Sequence, residues 1–405
     1  VIKNWFKNIG PGPLVAAAFI GPGTVTVCTL AGVNFGFALL WAMGLSIMAT
    51  IVLQEMSARL GLITQKGLSE VIRTEIKNPL VRGLTILLIL SAIVIGNAAY
   101  EAGNISGGVL GLETIVGNPF VSIAGFNLNV LSITIGLVAF VVLYVGNYKV
   151  LEKVLVFLVI LMSLAFLLTA IITKPDLSAI FSGLFMPKVS EENLLTIIGL
   201  IGTTVVPYNL FLHASLVKEK WHHETDLKFA RKDTIIAVAL GGIVSMCIII
   251  SAAAIETQHI SSAADLAKGL EPLFGRFAKY FLGIGLFAAG ITSAITAPLA
   301  AAFVATGCLG WSTSMKSKQF RAVWMFILGL GVLFSSIGFK SIEIIKFAQI
   351  TNGLLLPVIA AFLLWVMNKS SILGKYKNTL VQNIIGIVIL GVAIFLGAKS
   401  ILKVI

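Results

Sequence analysis

The chain has 405 residues, of which 58% are hydrophobic and only 11% charged, with a mean hydropathy of +1.02. A soluble domain needs far less apolar surface, and an outer-membrane barrel would alternate in short strands, so the composition points to a polytopic helical membrane protein. The net charge of +12 gathers in a few short connections, as the positive bias of cytoplasmic loops requires, and is no signature of nucleic-acid binding.

Hydropathy predicts about eleven transmembrane helices, near residues 12–33, 36–60, 82–111, 123–145, 150–173, 194–217, 231–255, 277–309, 320–338, 342–367 and 382–403. "VIKNWFKNIGPG" before the first has basic and aromatic residues but no small-residue cleavage site, and reads as an interfacial approach to a retained helix. Cys28, Cys247 and Cys308 all fall inside apolar segments and read as packing residues. Lys and Arg recur in alternate connections: Lys3 and Lys7, then Lys66, Arg73 and Lys77, Lys149 and Lys153, "KEKWHHETDLKFARKD" (218–233), "KSKQFR" and "NKSSILGKYKN". That alternation predicts a cytoplasmic N-terminus and an extracytoplasmic C-terminus in a bacterial plasma membrane.

The first span is interrupted by Gly21-Pro22-Gly23 and the sixth, "IGLIGTTVVPYNLFLHASLV" (198–217), by Pro207. Proline removes a donor and excludes the carbonyl four residues back, so these breaks predict free carbonyls at Ala18 and Thr203. Irregular backbone at membrane depth is tolerated where it lines a site, and matched breaks five helices apart predict an inverted repeat. The expected organisation is residues 1–173 for the first five-helix half, 194–367 for the inverted second half, and 382–405 for an extra eleventh helix. Either break alone is equally a packing kink.

Around the breaks stand Gly21, Gly23, Thr24, Thr203, Val206, Tyr208 and Asn209, the candidate substrate site. Asn209 and His213 are four apart on one helical face. His213, the one histidine in a predicted span, is either a satisfied core residue or a proton relay. The third span carries Asn97, Glu101 and Asn104 as a polar stripe beside Tyr100. Glu101 is either a neutral hydrogen-bonded carboxyl or a carrier of protons or cations. Glu55 and Arg59, one turn apart on the second span, read as an interfacial pair. Thr292, Ser293 and Thr296 precede Pro298 in the eighth span, and Gln349, Thr351 and Asn352 precede Pro357 in the tenth. Hydroxyls in such helices commonly bond back to their own turn. "WHHE" (221–224) reads as a solvated stretch of a basic loop. No HExxH, P-loop or GxSxG motif occurs, and Glu101 with His213 would be the sole catalytic pair, so the chain reads as no enzyme. Matched breaks favour a transporter over a channel.

"GPGTVTVCTLAG", "LQEMSARLGLITQKGLSEVIR" (53–73), "VVPYNLFLHASLV" (205–217) and "NGLLLPVIAAFLLWVMNKSSILGKYKN" (352–378) together resemble the natural resistance-associated macrophage protein (NRAMP) family. The resemblance runs over nearly the whole chain. It implies a LeuT-type fold, a 5+5 inverted repeat with helices 1 and 6 unwound at the midplane, and alternating-access transport of divalent metal cations coupled to H⁺ or Na⁺. The family's helix 1 motif, Asp-Pro-Gly-Asn, is here Gly21-Pro22-Gly23-Thr24, and its helix 6 motif, Met-Pro-His-Asn, is Val206-Pro207-Tyr208-Asn209. Its ligand set maps onto Gly21, Thr24, Val206 and the Thr203 carbonyl, leaving Thr24, Thr203 and Asn209 as candidate metal ligands. His213 matches the later histidine of helix 6 and Glu101 an acid of the proton path, with Asn97 and Asn104 beside it. Ala98 stands near the second acid's place, and the arginine pair of helix 9 is missing from 322–339. By analogy of fold, Thr292 and Ser293 are placed for a sodium site between helices 1 and 8.

A dehydrated divalent cation needs anionic or strongly dipolar oxygens, and a soft transition metal gains selectivity from sulfur. The alternative is therefore an NRAMP-like transporter of a small organic solute such as an amino acid, its carboxylate meeting the amides near Gly21 and Gly23. No cofactor, nucleic acid or obligate protein partner is expected; lipid, the small substrate and the coupling ion are the partners.

Overall fold

In lipid every backbone N–H and C=O must be satisfied internally, so the long apolar segments fold as helices. The computed structural model describes residues 20–117, 119–123, 126–146, 149–255 and 260–404. In chain order these form α1 (Pro22–Phe35), α2 (Leu40–Thr64), α3 (Leu68–Glu75), α4 (Pro79–Val116), the strands β1 (Phe120–Ile123) and β2 (Phe126–Asn129), α5 (Val130–Val145), α6 (Lys149–Ile172) and α7 (Leu177–Phe185). There follow α8 (Leu194–Thr204), α9 (Pro207–Lys220), α10 (Leu227–Ala252), α11 (Ala263–Ala267), α12 (Glu271–Phe274) and α13 (Ala278–Leu309). The chain closes with α14 (Lys318–Ser336), α15 (Ser341–Met367), α16 (Ser370–Leu373) and α17 (Leu380–Val404).

Among the described residues nine segments are long and apolar enough to cross a membrane, the α8–α9 pair counting as one, and α5 is a shorter apolar helix. With α1 these match the eleven predicted spans, although the first half of the first span, including Ala18, lies outside the described residues. Several boundaries shift by a few residues, and two of the shifts have a visible cause. The second span starts at Leu40 because Gly36, at φ 55°, turns the chain after α1. The fourth starts at Val130, because β1 and β2 pair antiparallel, Phe120 opposite Asn129 and Ile123 opposite Phe126. Asn129 then caps α5, its side chain accepting from the Ser132 amide.

The centre is the contact of α4 with α13, flanked by α14 and α15 on α4. Small residues let these backbones close: a Cβ built at Gly290 would lie 2.6 Å from the Gly108 nitrogen. On the other side α2 packs on α9 and α10, while α1 packs on α10, α8 and α15. Cys28 and Cys308 are buried and Cys247 half-buried, all as free thiols. Pro298 and Pro357 lie within α13 and α15, which continue through them.

Candidate functional site

Pro22 and Pro207 play a different part from the interior prolines: each is the first residue of a helix, where its missing N–H breaks no intrahelical bond. Gly21 precedes α1 in extended backbone, at φ −99° and ψ −176°. α8 ends at Thr204, Val205 leaves the helical region at φ −97° and ψ 71°, and Val206 is extended before α9. Because residue 207 has no N–H, the Thr203 carbonyl lacks its usual donor, as the sequence predicts. Neither α1 nor α9 has a side-chain cap, so the positive ends of both helices are unscreened by any capping oxygen.

The two breaks meet. Thr24 and Thr203 share a hydrogen bond between their hydroxyls at 2.7 Å. Both are 1% exposed, and Gly21, Gly23, Val206, Tyr208 and Asn209 are buried with them. Neither amide atom of Asn209 has a partner among the described residues. The Tyr208 ring stands edge-on to Tyr100 of α4, with centroids 5.3 Å apart. Two further helices wall the α1 break. A Cβ at Gly107 of α4 would collide with the Pro22 ring, and one at Gly23 would collide with the Gln349 amide of α15. Gln349 Oε1 and, one turn on, Asn352 Nδ2 are buried with no partners among the described residues. Gln349 thus belongs with the breaks; its signal in the sequence is a lone amide in an apolar helix, which does not say which neighbour it faces.

The other candidates divide. Glu101 is fully buried and accepts from Asn104 Nδ2 at a long 3.5 Å, its Oε1 having no partner among the described residues. Gly331 of α14 packs directly on the Glu101 side chain, in the helix that lacks the arginine pair. Asn97 leaves this stripe and donates to the Ala297 carbonyl of α13 at 3.0 Å. His213 does not join Glu101: its Nδ1 is 2.7 Å from Gln54 Oε1 on α2, a partner that sequence spacing does not announce. Its Nε2 is buried with no partner among the described residues. Thr292 donates to the Ala288 carbonyl at 2.8 Å and lines a cavity of about 120 Å³ with Leu155 of α6 and Leu212, Leu216 and Glu219 of α9. Ser293 Oγ is fully buried, with no partner among the described residues. His222 and His223 are exposed, as the loop reading of "WHHE" expects.

Chemically, the breaks offer hydroxyls, amides, a phenol and backbone. Among the described residues no three of His, Cys, Asp and Glu come together as a metal site.

The chain matches the family model "Natural resistance-associated macrophage protein-like" over residues 12–403. A relative from Verminephrobacter eiseniae, the divalent metal cation transporter MntH, is 27% identical over 383 residues, covering 91% of this chain and 83% of its own. Among solved structures, a manganese transporter of Eremococcus coleocola superposes with a TM-score of 0.78 at 21% identity, over 98% of this chain and 87% of that one. MhsT in complex with L-phenylalanine superposes with a TM-score of 0.60 at 15% identity, over 98% of both chains. The chain therefore belongs to the natural resistance-associated macrophage protein family: it is an integral membrane transporter of LeuT-type fold, not an enzyme.

Proposed function

We propose that the chain is a secondary active transporter that works by alternating access, with the α1 and α8–α9 breaks as its substrate site. Gly21, Gly23, Thr24, Thr203, Val206, Tyr208 and Asn209 line that site. Residues 1–173 and 194–367 act as two inverted halves, with 382–405 outside the repeat. The basic connections face the cytoplasm, and the membrane is a bacterial plasma membrane, in line with the bacterial relatives. Glu101, Asn97, Asn104 and His213 are the candidate coupling path for H⁺, and Thr292 and Ser293 a candidate for Na⁺.

By family the cargo is a divalent metal cation, the class named for the relatives above. What carries the reading of this particular site is the hydroxyl pair of Thr24 and Thr203 where the family places an amide and a carbonyl, with Gly21 and Val206 in place of aspartate and methionine. Neutral oxygens suit a hard, partly hydrated cation such as Mg²⁺, and without sulfur or a carboxylate the site has nothing that selects a soft transition metal. A second reading, a small organic solute such as an amino acid, is favoured by a separate observation. Both half-helices begin uncapped, and the buried Asn209 amide lies in the first turn of α9 with no partner among the described residues. That arrangement suits a carboxylate.

Proteoliposome uptake of Mg²⁺ and Mn²⁺ separates the two. Uptake that falls on Thr24→Ala, Thr203→Ala and Asn209→Ala supports the cation. No uptake of either, with thermal stabilisation by an amino acid, overturns it in favour of the solute.

A further inference from the structure

Glu55 and Arg59 form the expected ion pair at 3.1 Å, with the Arg59 side chain buried at 2% exposure. Its guanidinium also donates to the Tyr376 carbonyl at 2.7 Å, Asn378 Oδ1 at 2.8 Å and Gln382 Oε1 at 3.5 Å. All three belong to the connection between α16 and α17 or to the start of α17. The second Glu55 oxygen accepts from Arg231 Nε of α10 at 2.7 Å. One carboxylate thus ties α2 to α10, and one arginine ties α2 to residues 376–382.

A second tier lies beside the first. Glu224, four residues beyond α9, accepts from the Tyr376 hydroxyl at 2.9 Å and faces Lys375 Nζ at 3.5 Å. α9 begins at the Pro207 break and lends Leu212, Leu216 and Glu219 to the cavity opposite α6 and α13. The connection that holds Arg59 therefore also holds the far end of the half-helix that starts at the substrate site.

The charges here do not balance: two guanidiniums share one carboxylate, so Arg59 leans on neutral acceptors of a single irregular connection. A buried charge that loses its acceptors is strongly disfavoured, and Arg59 Nε already has no partner among the described residues, so losing the remaining acceptors favours release of the cluster as a unit. Its acceptors outside α2 and α10 can withdraw together without breaking a long helix.

We propose that Glu55, Arg59 and Arg231, with Tyr376 and Asn378, form a latch that holds α9 against the cavity wall and releases when this end of the protein opens. The inference rests on the alternating-access reading. Its test needs no substrate, so failure of the latch and failure of that reading are distinguishable.

Hydrogen exchange of the full chain in nanodiscs is the measurement, comparing segments 212–220, 374–383 and α4. Glu55→Gln accelerates exchange of both 212–220 and 374–383 by about tenfold, with α4 unchanged. Arg231→Gln removes the partly exposed arm, at 42% exposure, and does the same by about threefold in a protein that folds normally. In a background without the native cysteines, Met56→Cys and Asn378→Cys are joined by a short bifunctional thiol reagent; in the native chain Asn378 Nδ2 is 3.8 Å from Met56 Sδ. That link slows exchange of 212–220. Exchange of 212–220 at the wild-type rate in Arg231→Gln means that the cluster does not restrain α9, and at the wild-type rate in the linked protein that it is a static staple; either result overturns the latch.

Discussion

One methyl group placed at two glycines tests the packing on which the transporter's centre depends. In Gly290→Ala the new Cβ would lie 2.6 Å from the Gly108 nitrogen, 2.7 Å from its Cα and 2.9 Å from the Asn104 carbonyl oxygen. Ordinary contacts of a Cβ begin near 3.4 Å, and every atom met here is backbone, so α4 and α13 must separate by most of an ångström. The seam cannot yield at one point alone, since a Cβ at Gly103 would likewise lie 2.9 Å from Ala348 Cβ of α15 on another side of α4. Overpacking of this kind costs about 1–3 kcal/mol. Gly83→Ala, near the start of α4, meets nothing within 4 Å and gains about 0.5–1 kcal/mol from helix propensity. The two substitutions add the same atoms and should move stability in opposite directions, by about 1.5–4 kcal/mol in total. Unfolding in nanodiscs, followed by tryptophan fluorescence, reads the difference. Equal shifts in one direction, or a Gly290→Ala protein as stable as wild type, would refute the close approach of α4 and α13. Because the displaced backbone carries Asn104, Gly290→Ala should also slow uptake more than its stability loss explains.

Four further outcomes follow from the site. A double-mutant cycle on Thr24→Val and Thr203→Val should return a coupling of about 0.5–1.5 kcal/mol in stability; additive effects would mean that the hydroxyls do not bond. Glu101→Gln should abolish internal acidification during Mg²⁺ or Mn²⁺ uptake, and unchanged acidification removes Glu101 from the coupling path. If Thr292 and Ser293 hold sodium, uptake requires Na⁺ and weakens in Ser293→Ala; a Na⁺-independent rate counts against them. Gly21→Asp restores a cap to α1 and should raise stability by about 0.5–2 kcal/mol while creating or strengthening Mn²⁺ uptake, an effect absent from Gly21→Asn if charge is what matters.

What the sequence discloses is what is local. Hydropathy locates the spans, and Gly21-Pro22-Gly23 and Pro207 mark the breaks, because proline's missing donor acts within one turn. Even so, spacing alone treats Pro22 and Pro207 like Pro298 and Pro357. The first pair starts helices after extended residues, and the second pair rides inside them. The strand β2 passes for the start of a span because Phe126 and Leu128 are apolar in strand and helix alike. Glu55 with Arg59 is legible as an i,i+4 pair, but the burial of Arg59 is set by residues more than 300 positions away. The same holds for Gln54 under His213 and Gln349 against Gly23: each is an amide in an apolar helix whose partner only the packing chooses.

The position of Gly21 joins the electrostatic and the chemical parts of the argument. An aspartate there would stand at the N-cap of α1, where a carboxylate both accepts from the first-turn amides and offsets roughly half a positive charge at the helix end. It would then be a ligand whose charge is already anchored. With glycine, that positive end faces the site unopposed, and α9 adds a second uncapped end after Val206. A bare divalent ion would have to leave water for neutral donors while facing both helix ends, whereas a hydrated ion keeps its water between itself and them. A carboxylate meets the same two ends as attraction. Glycine thus leaves the two positive helix ends facing the free Thr203 carbonyl at the C-terminal end of α8 with no anion between them, so substrate charge, more than substrate size, is the property that separates the two readings of the site.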